Sequence, residues 1–345
     1  MSRAKSTMNI REAIDKVVNR VNLTEAQTVD VMNQIMTGEA TPLQVASFLT
    51  ALRMKGETVD EVTGAARVMR EKAHRVEVGG KTVLDTCGTG GDQKGTFNIS
   101  TTAAFVVAGA GVTVAKHGNR SVSSQSGSAD VLGALGVKVD APKERVERCI
   151  AEIGIGFLFA PLLHEAMKYA VQPRRDIGIR TIFNLLGPLT NPAMATQQLI
   201  GIYSGDLVGM VANVLKNLGS ARAMVVHGLE GLDEISLCGP TKVAELRDGA
   251  VREFQIEPEE FGFKRCVLAD LHGGSAEQSA VIVRAVLDGQ SGAPRDVALL
   301  NGGAALYVSG SAASLPDGIK LAAESIDSGK ARQKLQQLVE LTNAA

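Results

Sequence analysis

At 345 residues with 45% hydrophobic content, the chain can bury a sizeable core, which must be aliphatic because aromatics make up 3% and Trp is absent. A formal net charge of -1 excludes the basic surplus usual in a nucleic-acid binder. Four cysteines (Cys87, Cys149, Cys238, Cys266) without a Cys-x-x-Cys pair argue for a reducing, cytoplasmic setting and against structural zinc, and the polar Met1–Asn9 and the short apolar stretch Ala103–Ala115 suggest neither a signal peptide nor a membrane span.

Residues 9–73 read as wholly helical. Asn9–Arg20 carries Ile10, Ile14, Val17 and Val18 at helical spacing. Thr24 starts a second helix that Gly38 stops, Thr41-Pro42 opens a third that ends at Gly56, and Thr58 opens a fourth. From Lys81 the pattern changes to strands alternating with helices, the signature of an α/β fold with a mostly parallel sheet. The predicted strands are Thr82–Asp85, Val112–Ala115, Gly156–Phe159, Leu199–Tyr203 and Ala223–Val226, followed by a hairpin of Lys242–Leu246 and Val251–Ile256 turned at Asp248-Gly249. Predicted helices are Ala103–Ala108, capped by Ser100 or Thr101, then Ser128–Leu135, Pro142–Ile153, Leu162–Val171, Asp206–Leu218, Ala276–Leu287, Ala298–Val308 and Pro316–Leu341.

The stretch most loaded with chemistry follows the first strand. Gly88, Gly90 and Gly91 allow positive φ and close backbone approach, and the apolar helix after Thr96, Asn98, Ser100 and Thr101 offers free N–H groups at its start. Strand, glycine turn and helix start together suit a phosphate, although the spacing matches neither a Walker A nor a dinucleotide fingerprint. Asp92 fits such a loop if it accepts a sugar hydroxyl or meets a phosphate-bound cation.

Further constellations follow other strand ends, where a parallel sheet places its ligands. Lys116-His117-Gly118-Asn119-Arg120-Ser121-Val122-Ser123-Ser124 supplies cations and hydroxyls for a second phosphate group, and Ser128 begins another helix. Arg174 and Arg175 could clamp a planar carboxylate with a bidentate fork, beside a loop that Gly187-Pro188 and Asn191-Pro192 hold non-helical. Asp233-Glu234 in a glycine-bearing loop are hard oxygen ligands of the kind Mg²⁺ takes. His117, His164 and His227 read as hydrogen-bonded to loop backbone, His74 and His272 have no company, and Cys87 has no base to activate it.

Gly88-Thr89-Gly90-Gly91-Asp92, Asn98-Ile99-Ser100-Thr101, Lys116-His117-Gly118-Asn119-Arg120, the run Phe183 to Pro192 and Leu232-Asp233-Glu234 occur together in this order. In this the chain resembles the anthranilate phosphoribosyltransferases over nearly its whole length. Five motifs in register are highly specific, where any one is only suggestive. The resemblance implies a small helical domain, 1–73, joined by part of 165–195, a large α/β domain, 74–345, and a homodimer through the helical domain. It implies phosphoribosyl pyrophosphate (PRPP), anthranilate and Mg²⁺ as ligands, with no nucleic acid or membrane partner.

By that resemblance Gly88, Gly91, Asp92, Thr96, Asn98, Ile99, Ser100, Thr101, Lys116, His117, Gly118, Asn119, Arg120, Ser121, Val122, Ser123, Ser124 and Ser128 bind PRPP. Gly88, Asn119 and Arg174 meet anthranilate, and Ser100, Asp233 and Glu234 sit on Mg²⁺. Lys116 and Asn119 carry the catalysis. His164-Glu165 departs from the family's His-Pro, and Ile99 stands where valine is commoner. Two rivals stay open. A pyrimidine-nucleoside phosphorylase would use inorganic phosphate without the acid pair, and a non-enzymatic nucleic-acid-binding relative would show a basic surplus.

Overall fold

The first helices each begin on a side chain that caps them. Asn9, Thr24, Thr41 and Thr58 accept from the backbone three residues on, while Glu12, Gln27, Gln44 and Glu61 reach back, satisfying donors that a helix start leaves free. The helices so defined are Ile10–Val18, Glu25–Thr37, Pro42–Lys55 and Val59–Lys72 in the computed structural model, which describes residues 7–121 and 126–344. Their apolar faces meet one another and receive two later helices, Lys168–Ile177 and Phe183–Leu189: Ala170, Phe183, Leu185 and Leu186 share one buried cluster with Val31, Phe48, Leu52 and Val62.

The strands are β1 (Leu84–Gly88), β2 (Val114–Gly118), β3 (Ile155–Phe159), β4 (Gln197–Gly201), β5 (Arg222–Gly228), β6 (Thr241–Arg247) and β7 (Ala250–Ile256). They form a seven-stranded sheet in the order β3-β2-β1-β4-β5-β6-β7. The first five are parallel and the β6–β7 hairpin is antiparallel, with β7 mostly exposed at the edge. One face is covered by the helices Ile99–Gly109, Ala276–Leu287, Ala293–Val308, Leu315–Asp327 and Lys330–Asn343, whose apolar residues join Leu84, Leu199 and Val226. On the other face Ile200, Ala223 and Val225 pack with the helix Val208–Asn217 and with the N-terminal helices. The chain leaves β1 by one face and β4 by the other, so neighbouring strand ends diverge there and open a crevice.

Four readings of the sequence need correction. The helix after the glycine turn starts at Ile99 with Asn98 at its N-cap and no side-chain cap, so neither Ser100 nor Thr101 caps it. Gly187-Pro188 is helical, lying inside Phe183–Leu189, because a proline removes only one bond of so short a helix and buried packing of Phe183, Leu185, Leu186 and Pro188 holds the rest. Leu162–Val171 is not continuous: a short helix, Ala160–Leu163, and a 3-10 turn, Glu165–Met167, precede Lys168–Ile177. Pro316–Leu341 is two helices, split where Gly329 takes φ 74°. Among the described residues, no helix is long and apolar enough to cross a membrane.

Candidate active site

The crevice is floored by glycine. Gly88 and Gly201 pair in register at the ends of β1 and β4, and the Asp233 loop lies directly over them. A Cβ on Gly201 would stand 1.5 Å from the Asp233 carbonyl oxygen, and one on Gly88 2.8 Å from Asp233 Oδ2. Beyond β1 the turn passes through Gly90 and Gly91 at φ 65° and 76°, a conformation that favours glycine.

Acids and donors meet across this floor. Gly90 N donates to Asp233 Oδ2 at 2.8 Å, and Ser100 N, at the start of the helix, donates to Glu234 Oε1 at 3.0 Å. The helix cap that local sequence lacks is therefore supplied by Glu234 from the far loop. Both residues are half-buried. Burial pushes both acids well above the usual carboxylate range; the Asp92 charge adds to the rise at Asp233, and the Asp233 charge to that at Glu234. Asp92 Oδ1 accepts from Lys94 N at 3.2 Å, while its Oδ2 is buried without a partner. Three facing carboxyl groups, one with an orphaned oxygen, form a set that a divalent cation would relieve. Among the described residues no three His, Cys, Asp or Glu side chains hold a metal site by themselves, so a ligand's oxygens would have to complete one.

Lys116, 4% exposed, extends from β2 to this point: its Nζ donates to Thr86 O and lies 3.4 Å from Ser100 Oγ. Asp85, fully buried on β1, accepts from His117 N at 3.1 Å and from Asn191 Nδ2 at 2.8 Å. Burial raises its carboxyl to about 6 although Lys116 and these bonds pull it down. Asn191 also donates to Ala115 O, so the end of the Phe183–Pro192 run is bolted to β1 and β2.

Asn119 and Arg120 are exposed after β2. Asn119 O accepts from Ser128 Oγ at 3.3 Å and from Ala129 N at 3.2 Å. Arg120 pairs with Asp130 at 3.0 Å, and Asp130 Oδ2 accepts from Ser121 N and Gly127 N, so the start of the helix Ser128–Ala134 already faces a carboxylate. Val122, Ser123 and Ser124 lie outside the described residues. Gly118 lies within reach of Ser128 and Phe157. Asn98 N donates to Ser279 Oγ and Asn98 Oδ1 accepts from Thr101 Oγ1; Ile99 is buried in the core, and Thr96 bridges His272.

Of the adjacent arginines, Arg174 is the half-buried one, its guanidinium 5.1 Å from the Phe183 ring centroid, while Arg175 is exposed. Among the described residues Arg174's side chain has no hydrogen-bond or ion-pair partner, and burial lowers its pKa. Burial takes His117 down to about 3 and His164 to about 4, their rings 5.1 Å apart. His117 Nδ1 faces Gly187 O and His227 Nδ1 faces Ile202 O, the backbone roles expected of them. His74 and His272 do have company, in Glu165 at 3.6 Å and in Thr96. Glu165 itself is exposed, bonded to Lys168 at 3.0 Å. Cys87 lies buried on β1 with its thiol pushed far up by burial and by Asp85.

Sequence reading missed the residues that hold the acids in place. Ile235 N donates to Asn301 Oδ1 and Asn301 Nδ2 donates back to Ile235 O, both at 2.9 Å, from a fully buried Asn301 in the helix Ala293–Val308. Its signal was a lone amide in the run Leu299-Leu300-Asn301. Gly201 and Asp85 had none. Arg180, which donates to Gly91 O and stacks 4.2 Å over Tyr203, was visible only as another surface cation.

Fold and crevice define a class: residues 80–332 match the glycosyl transferase family, a/b domain, and residues 11–73 its helical bundle domain. The chain is 57% identical over 350 residues to the anthranilate phosphoribosyltransferase of Citrifermentans bemidjiense, covering 97% of this chain and 99% of that one. It is 58% identical over 330 residues to that of Moorella thermoacetica, covering 96% and 97%. The crystal structure of the anthranilate phosphoribosyltransferase from Thermus thermophilus superposes with TM-score 0.91 at 44% identity, over 96% of this chain and 99% of that one. The Saccharomyces cerevisiae enzyme in complex with PRPP and Mg does so with TM-score 0.88 at 28% identity, over 99% of each. The chain belongs to the anthranilate phosphoribosyltransferase family.

Proposed function

We infer that this chain transfers the 5-phosphoribosyl group of PRPP to the amine of anthranilate, giving N-(5-phosphoribosyl)anthranilate and diphosphate, in tryptophan biosynthesis. One observation carries the reading: the glycine turn after β1, the helix start at Ser100, buried Lys116 and the Asp92–Asp233–Glu234 group converge on one crevice. That combination suits a diphosphate and its cation. The yeast relatives described in complex with PRPP and Mg, and with 4-fluoroanthranilate, support the same ligands here.

In this reading Gly88, Gly91, Asp92, Thr96, Asn98, Ser100, Thr101, Lys116, His117, Gly118, Asn119, Arg120, Ser121, Val122, Ser123, Ser124 and Ser128 hold PRPP. Asp233, Glu234 and Ser100 would hold Mg²⁺, which when bound supplies positive charge against the diphosphate. Lys116 stabilises the negative charge that grows on the leaving diphosphate, a role its buried ammonium fills with little reorganisation. Arg174, with a free guanidinium over Phe183, takes the anthranilate carboxylate. Asn119, whose Oδ1 is held by Arg120 N at 2.7 Å, aims its amide at the amine region, with Gly88 below. The aromatic amine attacks C1 of the ribose as the C1–O bond to diphosphate breaks, and the amine proton is then lost. An aromatic amine is unprotonated at neutral pH, so no strong base is required, in keeping with His117 and His164 being neutral and inward-facing.

The domain division that fits this reading is 1–73, joined by part of 165–195, and 74–345. Exposed Val18, Leu43 and Met54 on the N-terminal helices, with Val21 in the connection after the first, support pairing of two copies through that unit. Four free thiols support a reducing, cytoplasmic setting. The test is loss of anthranilate fluorescence with PRPP and Mg²⁺. No loss, together with phosphate-dependent cleavage of a pyrimidine nucleoside, would return the chain to the phosphorylase alternative.

A further inference from the structure

Two thiols outside the crevice lie against each other. Cys238 Sγ, in the loop between β5 and β6, is 3.7 Å from Cys266 Sγ, in the excursion between β7 and the helix Ala276–Leu287. Their backbones are already neighbours, because Cys266 N donates to Leu237 O at 3.1 Å. Both residues are half-buried and pack against the core that covers one face of the sheet. Cys87 and Cys149 are buried elsewhere.

We propose that Cys238 and Cys266 are a dithiol modification site that closes to a disulfide by exchange with a small-molecule disulfide such as oxidised glutathione. Backbone adjacency and sulfur contact mean closure needs side-chain rotation and a short approach rather than a change of fold. Cys238 is the attacking group. Burial raises both thiols, and Cys266, pushed up to about 12 with Cys238 adding to the rise, is the less readily ionised of the two. Its thiolate attacks one sulfur of the glutathione disulfide, breaking that S–S bond and expelling glutathione thiolate, which takes up the proton released. Cys266 then attacks Cys238 Sγ and expels the second glutathione. Two protein thiols lose two electrons and two protons, and one glutathione disulfide gains them.

The bond would tie together two segments that flank the crevice. Cys238 follows the Asp233-Glu234 loop, and the excursion bearing Cys266 ends by backing the glycine turn: Phe97 N donates to Leu271 O, and Gly273 N donates to Gly95 O. Cross-linking positions 28 apart in sequence restricts the unfolded chain, so the oxidised form should melt higher, by up to about 5 °C for a chain of this size.

The test is to treat the full-length protein with oxidised glutathione and digest it without reductant. Expected is a linked peptide joining Cys238 to Cys266, lighter by two hydrogens, reversed by dithiothreitol and absent from both Cys238→Ser and Cys266→Ser. The melting temperature should rise in the parent alone. A link through Cys87 or Cys149, a link between two chains, stable mixed disulfides that never close, or closure without a rise in melting temperature would each overturn the proposal. Mapping the parent protein keeps the test decisive even if a serine variant folds poorly.

Discussion

Replacing Asn301 with leucine tests whether the acid loop is held from behind. The amide receives Ile235 N and donates to Ile235 O, each at 2.9 Å, in a fully buried position. Leucine fills similar space but leaves one backbone N–H and one C=O without partners. Each such group costs about 1–3 kcal/mol, so the change is worth roughly 2–6 kcal/mol in all. The Val297 carbonyl keeps its helical bond and adds little. If the loop stays in place, the fold bears the whole cost and the melting temperature drops. If the loop lifts so that water reaches Ile235, Asp233 and Glu234 leave Gly90 and Ser100, and part of the cost moves to binding of PRPP and Mg²⁺. With about 1.4 kcal/mol per tenfold change, Asn301→Leu should raise KM for PRPP and the Mg²⁺ for half-maximal rate roughly ten- to a hundredfold. KM for anthranilate should stay near the parent value, since Arg174 and Asn119 are held by other elements. The assay is initial-rate loss of anthranilate fluorescence across both titrations, with a melting curve alongside. A variant that melts lower yet keeps the parent's PRPP and Mg²⁺ dependence would show that Asn301 merely glues the core.

Other expectations can be checked in the same assay. Arg174→Ala should raise KM for anthranilate about ten- to a hundredfold through loss of a charge-assisted hydrogen bond worth ~1.5–3 kcal/mol, leaving KM for PRPP unchanged, whereas exposed Arg175→Ala should do little; equal rises in both KM values count against the assignment. The double change Asp233→Asn with Glu234→Gln should leave the fold intact, lower kcat sharply and raise the Mg²⁺ requirement, and an unchanged Mg²⁺ titration in a folded variant would remove the pair from the metal. The ligand-free protein should lose stability as pH rises from the ordinary carboxylate range, roughly 4, towards and past neutrality. Both acids have folded pKa values raised above their unfolded ones, so the unfolded chain ionises first. Melting curves across that window should be steeper for the parent than for the double variant, and an equal slope would refute the linkage.

Much of the fold was legible because its signals are local. Threonine or asparagine before an apolar period starts each N-terminal helix, and short β-rich runs mark the strands of the sheet. What escaped was decided by contacts distant in sequence. The helix at Ile99 lacks a local side-chain cap, and its Ser100 N–H goes instead to Glu234, 134 positions away. The proline-bearing helix Phe183–Leu189 reads as a loop by composition, yet Gln198 Nε2 takes the Pro188 carbonyl at 2.8 Å and burial does the rest. The motifs proposed for the site stand out because glycine, lysine and paired acids are chemically distinctive. Gly201 could not, since nothing local says that the Asp233 loop will cross above it.

The hydrogen bonds among these residues bear on how substrate and metal would depend on each other. A glycine turn leading to a helix start offers its N–H groups to an anion, but here Gly90 N and Ser100 N already serve the carboxyls of Asp233 and Glu234. Those carboxyls are held above their ordinary pKa range, so they are partly protonated near neutrality. Diphosphate alone would have to displace them and then face Asp92, Asp233 and Glu234 as like charges. Mg²⁺ alone would have to deprotonate two acids that are satisfied by backbone donors. If the proposed site is right, binding both together would close the exchange: the donors would pass to phosphate oxygens, the acids to the cation, and protons would leave. Calorimetry in two buffers of different ionisation enthalpy should therefore show weak binding of Mg²⁺ or diphosphate alone. Tight binding of the pair should come with proton release that the double acid variant lacks. Tight binding of diphosphate without Mg²⁺, or of the pair without proton release, would mean that the acids do not trade places with the phosphate.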